Sequence, residues 1–169
     1  MAAAAAGMMA VAAAVLLRPT EVLTVRALRM APEAMAAVPV AEGSDVRIRY
    51  RHSVERTRVE GRFAVDGNAG LVAVETRFTS TGTGLPNTAV TRIHREGGWL
   101  VVDEERRPVP PIRFYLQSVN RTRLSVDGRD VDLSGFRSGN LLGIRVERVD
   151  RWRWWRWRWT GKGWHTTEW

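Results

Sequence analysis

The sequence predicts an all-β protein, an antiparallel sandwich or barrel of about eight to ten short strands preceded by an N-terminal hydrophobic helix. Three observations carry that expectation. From residue 22 onward, apolar and polar residues alternate with period two through most of the chain. Gly, Pro, Asn and Asp interrupt the alternation at short intervals. After residue 40 no long stretch repeats its apolar residues at helical spacing.

The hydrophobic segment comes first. Residues 2–17 are uncharged and dominated by alanine. As a helix this run is about 24 Å long, short of the roughly 30 Å of a bilayer core but sufficient for the apolar part of a signal sequence. No Lys or Arg precedes it, whereas Arg18, Arg26 and Arg29 come after it, against the usual charge bias of an exported C-terminal part. No small-x-small cleavage site stands before Arg18. An alanine-rich helix packed on the domain, or a chain begun after its basic leader, fits the same residues. The expected division is a signal or membrane anchor at 1–18, a β domain at 20–150 and an Arg/Trp-rich tail at 151–169, in a membrane-anchored or exported protein.

Residues 21–26 form a first strand, and a permissive stretch with Pro32, Pro39 and Gly43 comes next. Val46, Ile48, Tyr50 and His52 then alternate with Arg47, Arg49, Arg51 and Ser53. Val59, Gly61, Phe63 and Val65 alternate with Arg58, Glu60, Arg62 and Ala64. Asp66-Gly67-Asn68 turns the chain into a strand at 71–78, whose Val72, Val74, Thr76 and Phe78 are expected on the inner face. Further strands fall at 89–94, 99–102, 112–119 and 123–126, and Asp127-Gly128 is hairpin chemistry leading to 129–133. A strand at 142–149 closes the series.

Composition fits one ordinary domain. The chain has 169 residues, of which 44% are hydrophobic and 26% charged, which excludes wholesale disorder. The absence of cysteine excludes disulfides, zinc–thiolate and iron–sulfur sites and a cysteine nucleophile. Lys162 is the sole lysine, so the basic set is almost wholly arginine, mainly a mark of a GC-rich genome. Half of the net charge of +8 sits in the tail, where five basic residues face Glu168. The remaining body is a mildly basic surface of mixed sign.

The stretch at 50–63, "YRHSVERTRVEGRF", and "ETRFTSTGTGLP" after it bring together His52, Ser53, Glu55, Glu60, Glu75 and Arg77. Neighbours on a regular strand point to opposite faces, so His52 and Ser53 form no nucleophile–base pair unless the hairpin breaks the alternation. A metal would need His52, a carboxylate and His94 to converge, and no spacing specifies that. The simpler expectation is a solvated Arg/Glu ladder across three paired strands, with Glu55 capping the tight connection. Its surplus of arginines leaves room for an anionic ligand bound by His52, Ser53, Glu55, Glu60, Glu75 and Arg77. "STGTGLP" lacks the Lys and the helix that make a glycine-rich loop bind phosphate, and reads as a turn set by Pro86. No catalytic residue, metal or cofactor is expected.

These runs, with "GGWLVV", "NRTRLSVDGRDVDL" and "GIRVERV", resemble a small bacterial and archaeal family called domain of unknown function 1850. The likeness runs from about Val22 to Val149. Tyr50, His52, Ser53, Val54, Glu55, Glu60, Gly84, Leu85 and Pro86 occupy its signature positions. The resemblance implies an exported or membrane-anchored protein encoded beside TRAP-type transporters, and brings no established activity. The tail and the missing basic leader depart from the family pattern.

The tail, "RWRWWRWRWTGKGWHTTEW", holds all but one of the tryptophans. Trp and Arg mix on both faces of a strand, because Trp154-Trp155 breaks the alternation, and also around a helix axis. Three readings stand. Interleaved Trp and Arg suit a membrane interface, through Trp152, Trp154, Trp155, Trp157 and Trp159. They suit stacking on single-stranded nucleic acid, although an exported protein does not usually meet it. A translated repeat of GC-rich codons has no role at all. The expectation is therefore a non-enzymatic accessory protein of the cell envelope, a transporter subunit as partner and no nucleic acid. The alternative is an extracytoplasmic binding domain for a small anionic solute.

Overall fold

The computed structural model describes residues 19–30, 35–68, 70–80 and 93–160. The expected hydrophobic helix at 1–18, the Gly84-Leu85-Pro86 turn, residues 89–92 and Trp164 and Trp169 lie outside the described residues.

Two antiparallel sheets face each other, and neither closes into a barrel. The smaller comprises β1 (Pro19–Ala27), β2 (Met35–Val40), β8 (Ile112–Tyr115) and β11 (Leu141–Asp150), in the order β2-β1-β11-β8. The larger comprises β3 (Asp45–Arg51), β4 (Arg58–Asp66), β5 (Gly70–Phe78), β6 (Ile93–Glu96), β7 (Trp99–Val109), β9 (Arg123–Val126) and β10 (Arg129–Asp130), in the order β10-β9-β3-β4-β5-β7-β6. The described residues thus hold more strands than the sequence pattern predicts. The additional one, β2, is hidden in the sequence by small residues and by Pro39, which sits on the edge strand where a missing N–H costs no ladder bond. The strand expected at 112–119 stops at Tyr115, and a 3-10 turn, Ser118–Asn120, comes after it.

Alternation sends Leu23, Val25 and Ala27 of β1, Val46 and Ile48 of β3, and Leu142, Ile144 and Val146 of β11 into one core between the sheets. On β5 the expected inner set changes. The register slips between Ala73 and Glu75 against both neighbouring strands, which inserts Val74 as a bulge and reverses the parity of the residues beyond it. Leu71 therefore joins the main core opposite Val65, and Phe78 points inward beyond the bulge. Val72 pairs with Ala64 on the outer face. Asp127 and Gly128, both at positive φ, form the expected two-residue hairpin between β9 and β10. The Asp127 carboxylate accepts hydrogen bonds from Ser44 Oγ and the Asp45 N–H, tying that hairpin to the start of β3.

The tail is helical where it is described: α1 (Arg151–Thr160) continues directly from β11. Trp154 is buried with Val22 on the outer face of the small sheet, and Met35, Ala37, Val149 and Trp157 pack against them. The Trp154 and Trp157 rings stack at 5.3 Å. Trp152, Trp155 and Trp159, spaced three and four residues apart, form an exposed stripe on the other side. Sequence alone hid this division because Trp stands on both sides of the axis. One side is satisfied by the sheet. No described helix is long and apolar enough to cross a membrane.

Trp154→Ala removes the side chain that covers Val22 and is expected to cost about 3 kcal/mol in urea denaturation of the full chain. Trp159→Ala, on the exposed stripe, should stay within about 0.5 kcal/mol. Equal effects of the two changes would contradict the docked helix.

Candidate functional site

The register of β3, β4 and β5 builds the outer face of the large sheet. Arg47 pairs with Arg62, Arg49 with Glu60, and Arg51 with Arg58, while Glu75 and Arg77 of β5 lie opposite Arg62 and Glu60. The expected Arg/Glu ladder is therefore present. Glu60 is buried within it, accepting from Arg49 Nε at 2.5 Å with Arg47 3.9 Å away. Asp45 accepts from Arg47 and Arg62 Nε, each at 2.6 Å. Arg77 pairs with Glu75 and stands 3.7 Å from Glu96.

These contacts shift the ladder's titrations. Burial works to raise the Asp45 pKa, but hydrogen bonds and charge from Arg62 and Arg47 outweigh it and hold the carboxyl below its ordinary range. The hydrogen bond to Asp45 raises Arg62, and that to Glu75 raises Arg77, each against the opposing effect of partial burial.

A cleft of about 680 Å³ opens on this face, with Arg47, Arg49, Arg51, Arg56, Arg58, Arg77 and Arg121 in its walls and Glu60 as their single carboxylate. Arg47, Arg49 and Arg77 have acidic partners. Arg51, Arg56, Arg58 and Arg121 have none among the described residues: Arg51 Nε donates to the Arg56 carbonyl, and the Arg58 guanidinium lies 5.6 Å from the centre of the Trp99 ring. Arg56 (φ 52°) and Arg121 (φ 46°) both occupy the left-handed region, which costs a side-chain-bearing residue about 1 kcal/mol. Arg121 is the left-handed C-cap of the 3-10 turn, and the Arg56 N–H donates to the His52 carbonyl in the connection after β3.

The six expected ligand residues do not form one site. His52 lies just beyond the end of β3, where its Nδ1 accepts the Glu55 N–H at 3.2 Å and its own N–H donates to the Thr57 carbonyl. Alternation no longer applies there, and His52 and Ser53 line the same cavity, on the inner side of the sheet. No hydrogen bond joins them. The connection is capped through the His52 ring and the Glu55 N–H. Glu60 and Arg77 line the outer cleft, Glu75 supports it through Arg77, and Glu55 lines neither space. His94 pairs loosely with Asp103 at 3.9 Å, away from His52. Among the described residues no three His, Asp or Glu are grouped to hold a metal.

Sequence reasoning put Arg47, Arg49, Arg51 and Arg58 on this face but missed Arg56, Arg121, Thr79 and Trp99, which complete the cleft. Trp99 was the available signal, being the one tryptophan outside the tail. Arg121 was not, because a turn of 3-10 helix brings it there.

Fold and face together define a two-layer β-sandwich domain carrying a basic cleft on its larger sheet. The chain belongs to the family described as domain of unknown function (DUF1850), whose model matches residues 46–133, the segment that supplies the cleft. No match was found among curated proteins or solved structures.

The Asp45 pairing has a pH signature. A carboxyl whose pKa is depressed on folding adds stability above its unfolded value near 3.9, and this is lost as pH falls through the lower folded value. Asp45→Asn should therefore lower the urea midpoint at pH 6–7, and the gap to the parent should close as pH falls below the ordinary carboxyl range. A constant offset across pH 2–7 would contradict the assignment.

Proposed function

We propose that this chain is a non-enzymatic accessory protein of the cell envelope whose β domain binds a small anionic solute in the arginine-lined cleft. One observation carries the reading: Arg51, Arg56, Arg58 and Arg121 share a concave site without carboxylate partners among the described residues. Guanidinium forks match carboxylate and phosphate oxygens and retain their charge at any physiological pH. Glu60 holds Arg47 and Arg49 in place and leaves the other four arginines to an incoming anion. The non-enzymatic part is supported by the His52 imidazole, whose Nδ1 is engaged by the Glu55 N–H rather than by Ser53. Association with a TRAP-type transporter is the wider setting we propose, supported by the motif resemblance at 50–63.

A second reading, contact with a membrane surface, is favoured by the stripe of Trp152, Trp155 and Trp159. Two arginines lie over the Trp152 ring, Arg153 at 5.6 Å and Arg156 at 5.2 Å. Indoles at headgroup depth and guanidinium groups beside anionic lipid are the expected pairing. Trp154 and Trp157 pack on the docked side, so the reading is carried by the other three tryptophans.

Calorimetric titration with acetate, inorganic phosphate and citrate tests the cleft. Affinity should rise with ligand charge and weaken with salt. Arg58→Ala and Arg121→Ala should each reduce citrate affinity at least tenfold, while Arg113→Ala, outside the cleft, leaves it unchanged. Arg56→Gly should weaken binding yet keep or gain about 1 kcal/mol of stability, because glycine accepts the left-handed turn. Loss of affinity in Arg113→Ala as large as in Arg58→Ala would reduce the cleft to a general basic surface.

For the membrane reading, the full chain should co-sediment with vesicles containing anionic phosphatidylglycerol. Trp155→Ala/Trp159→Ala should lower the bound fraction severalfold without changing the urea midpoint. Unchanged sedimentation of that variant would remove the stripe from any membrane role.

A further inference from the structure

The larger sheet has seven strands and the smaller has four, so the small sheet cannot cover the whole inner face of the large one. The consequence is visible beside β8, the short edge strand of the small sheet. A cavity of about 530 Å³ lies between β8 and the inner faces of β3, β4 and β5. Its deep wall is a row in register, Ile48, Gly61 and Thr76, with Phe63 beside it, and the facing wall is Ile112 and Phe114. Tyr50 and Val59 contribute to this space and also to the arginine cleft on the opposite face, so the same pair of strands separates the two.

Protein interiors are packed as densely as organic crystals, and a space of this size between two sheets is not ordinary packing slack. It falls within the range of small-molecule sites, about 300–1,000 Å³. Gly61 helps to create it. A mid-strand glycine on an inward position gives up burial, and here it stands between Ile48 and Thr76 where a side chain would fill the gap. A Cβ at position 61 would lie 3.0 Å from Phe63 Cε2, so a larger side chain there must occupy the cavity or push the ring into it.

The lining fixes the ligand class. Tyr50, Phe63 and Phe114 supply aromatic walls, and no arginine lines the space. Ser53, Thr76, Gln117, Asn120 and Thr122 provide uncharged polar groups, and the His52 imidazole, its Nδ1 taken by the Glu55 N–H, lines the same space. Tyr115 lines the cavity while half exposed, and Val54 and Val119, both well exposed, are chain neighbours of Ser53 and Asn120.

We infer that the inter-sheet cavity beside β8 is a second binding site, for an uncharged, ring-containing apolar molecule bearing a small polar group. It is independent of the anion cleft, since the two open on opposite faces of the large sheet. The test uses N-phenyl-1-naphthylamine, an uncharged fluorophore that brightens in apolar surroundings, with the full chain. Saturable binding at one probe per chain is expected. Gly61→Leu should weaken it at least tenfold, and Ile112→Trp, which fills the same space from the other sheet, should do likewise if the first variant folds poorly. Arg58→Ala and added citrate should leave probe binding unchanged, so failure of the anion reading and failure of this one are separately visible. Absence of saturable binding would overturn the site. So would full binding in both filled variants, or loss of binding in Trp155→Ala/Trp159→Ala, which would assign the probe to the helix.

Discussion

Glu60 and Gly61 are adjacent on β4, and the two faces of the large sheet are organised around them. Glu60 is a carboxylate with little access to solvent, bonded to Arg49 and 3.9 Å from Arg47. A buried carboxylate is tolerated only when such partners replace its water, and removing one member leaves the others uncompensated. Around this anchor the outer face collects more guanidinium groups than it can neutralise. On the inner face Gly61 contributes no side chain at the point where Ile48 and Thr76 would otherwise meet a third. Period-two geometry makes these neighbours act on opposite sides of one sheet, so a basic cleft and an apolar cavity share a wall.

Much of this was legible in the sequence because burial imposes the alternation. The strands at 45–51 and 58–66 were readable almost to the residue, since a one-residue slip would have sent Val46 and Ile48 to solvent. The bulge at Val74 was not readable. It is set by pairing with β4 and β7, where Glu105 and Arg106 also take positive φ, and nothing in 71–78 announces it. The helix 151–160 escaped for a different reason. Its tryptophans serve two environments, sheet and surface, so no single apolar stripe exists for periodicity to detect.

The candidate site was legible in kind and not in membership. A surplus of arginine on one face emerges from counting alternate residues of three strands. Its concentration into a cleft depends on Arg56 and Arg121, held in left-handed turns, and on Trp99 from β7. The alternation already sends His52 inward with Tyr50, and Ser53 joins it because β3 ends at Arg51, two residues before the alternation does. The turn at 52–57, rather than the strand, decides where Ser53 points.

The central claim is that four arginines, rather than a diffuse basic surface, receive an anion. Nitrogen-15 NMR of the arginine Nε–Hε groups during a citrate titration tests it residue by residue. The account predicts saturable shifts, with one common affinity, for Arg51, Arg56, Arg58 and Arg121, while Arg62, already committed to Asp45, stays in place. Small, non-saturating shifts spread over all arginines, Arg113 and Arg145 included, would contradict it.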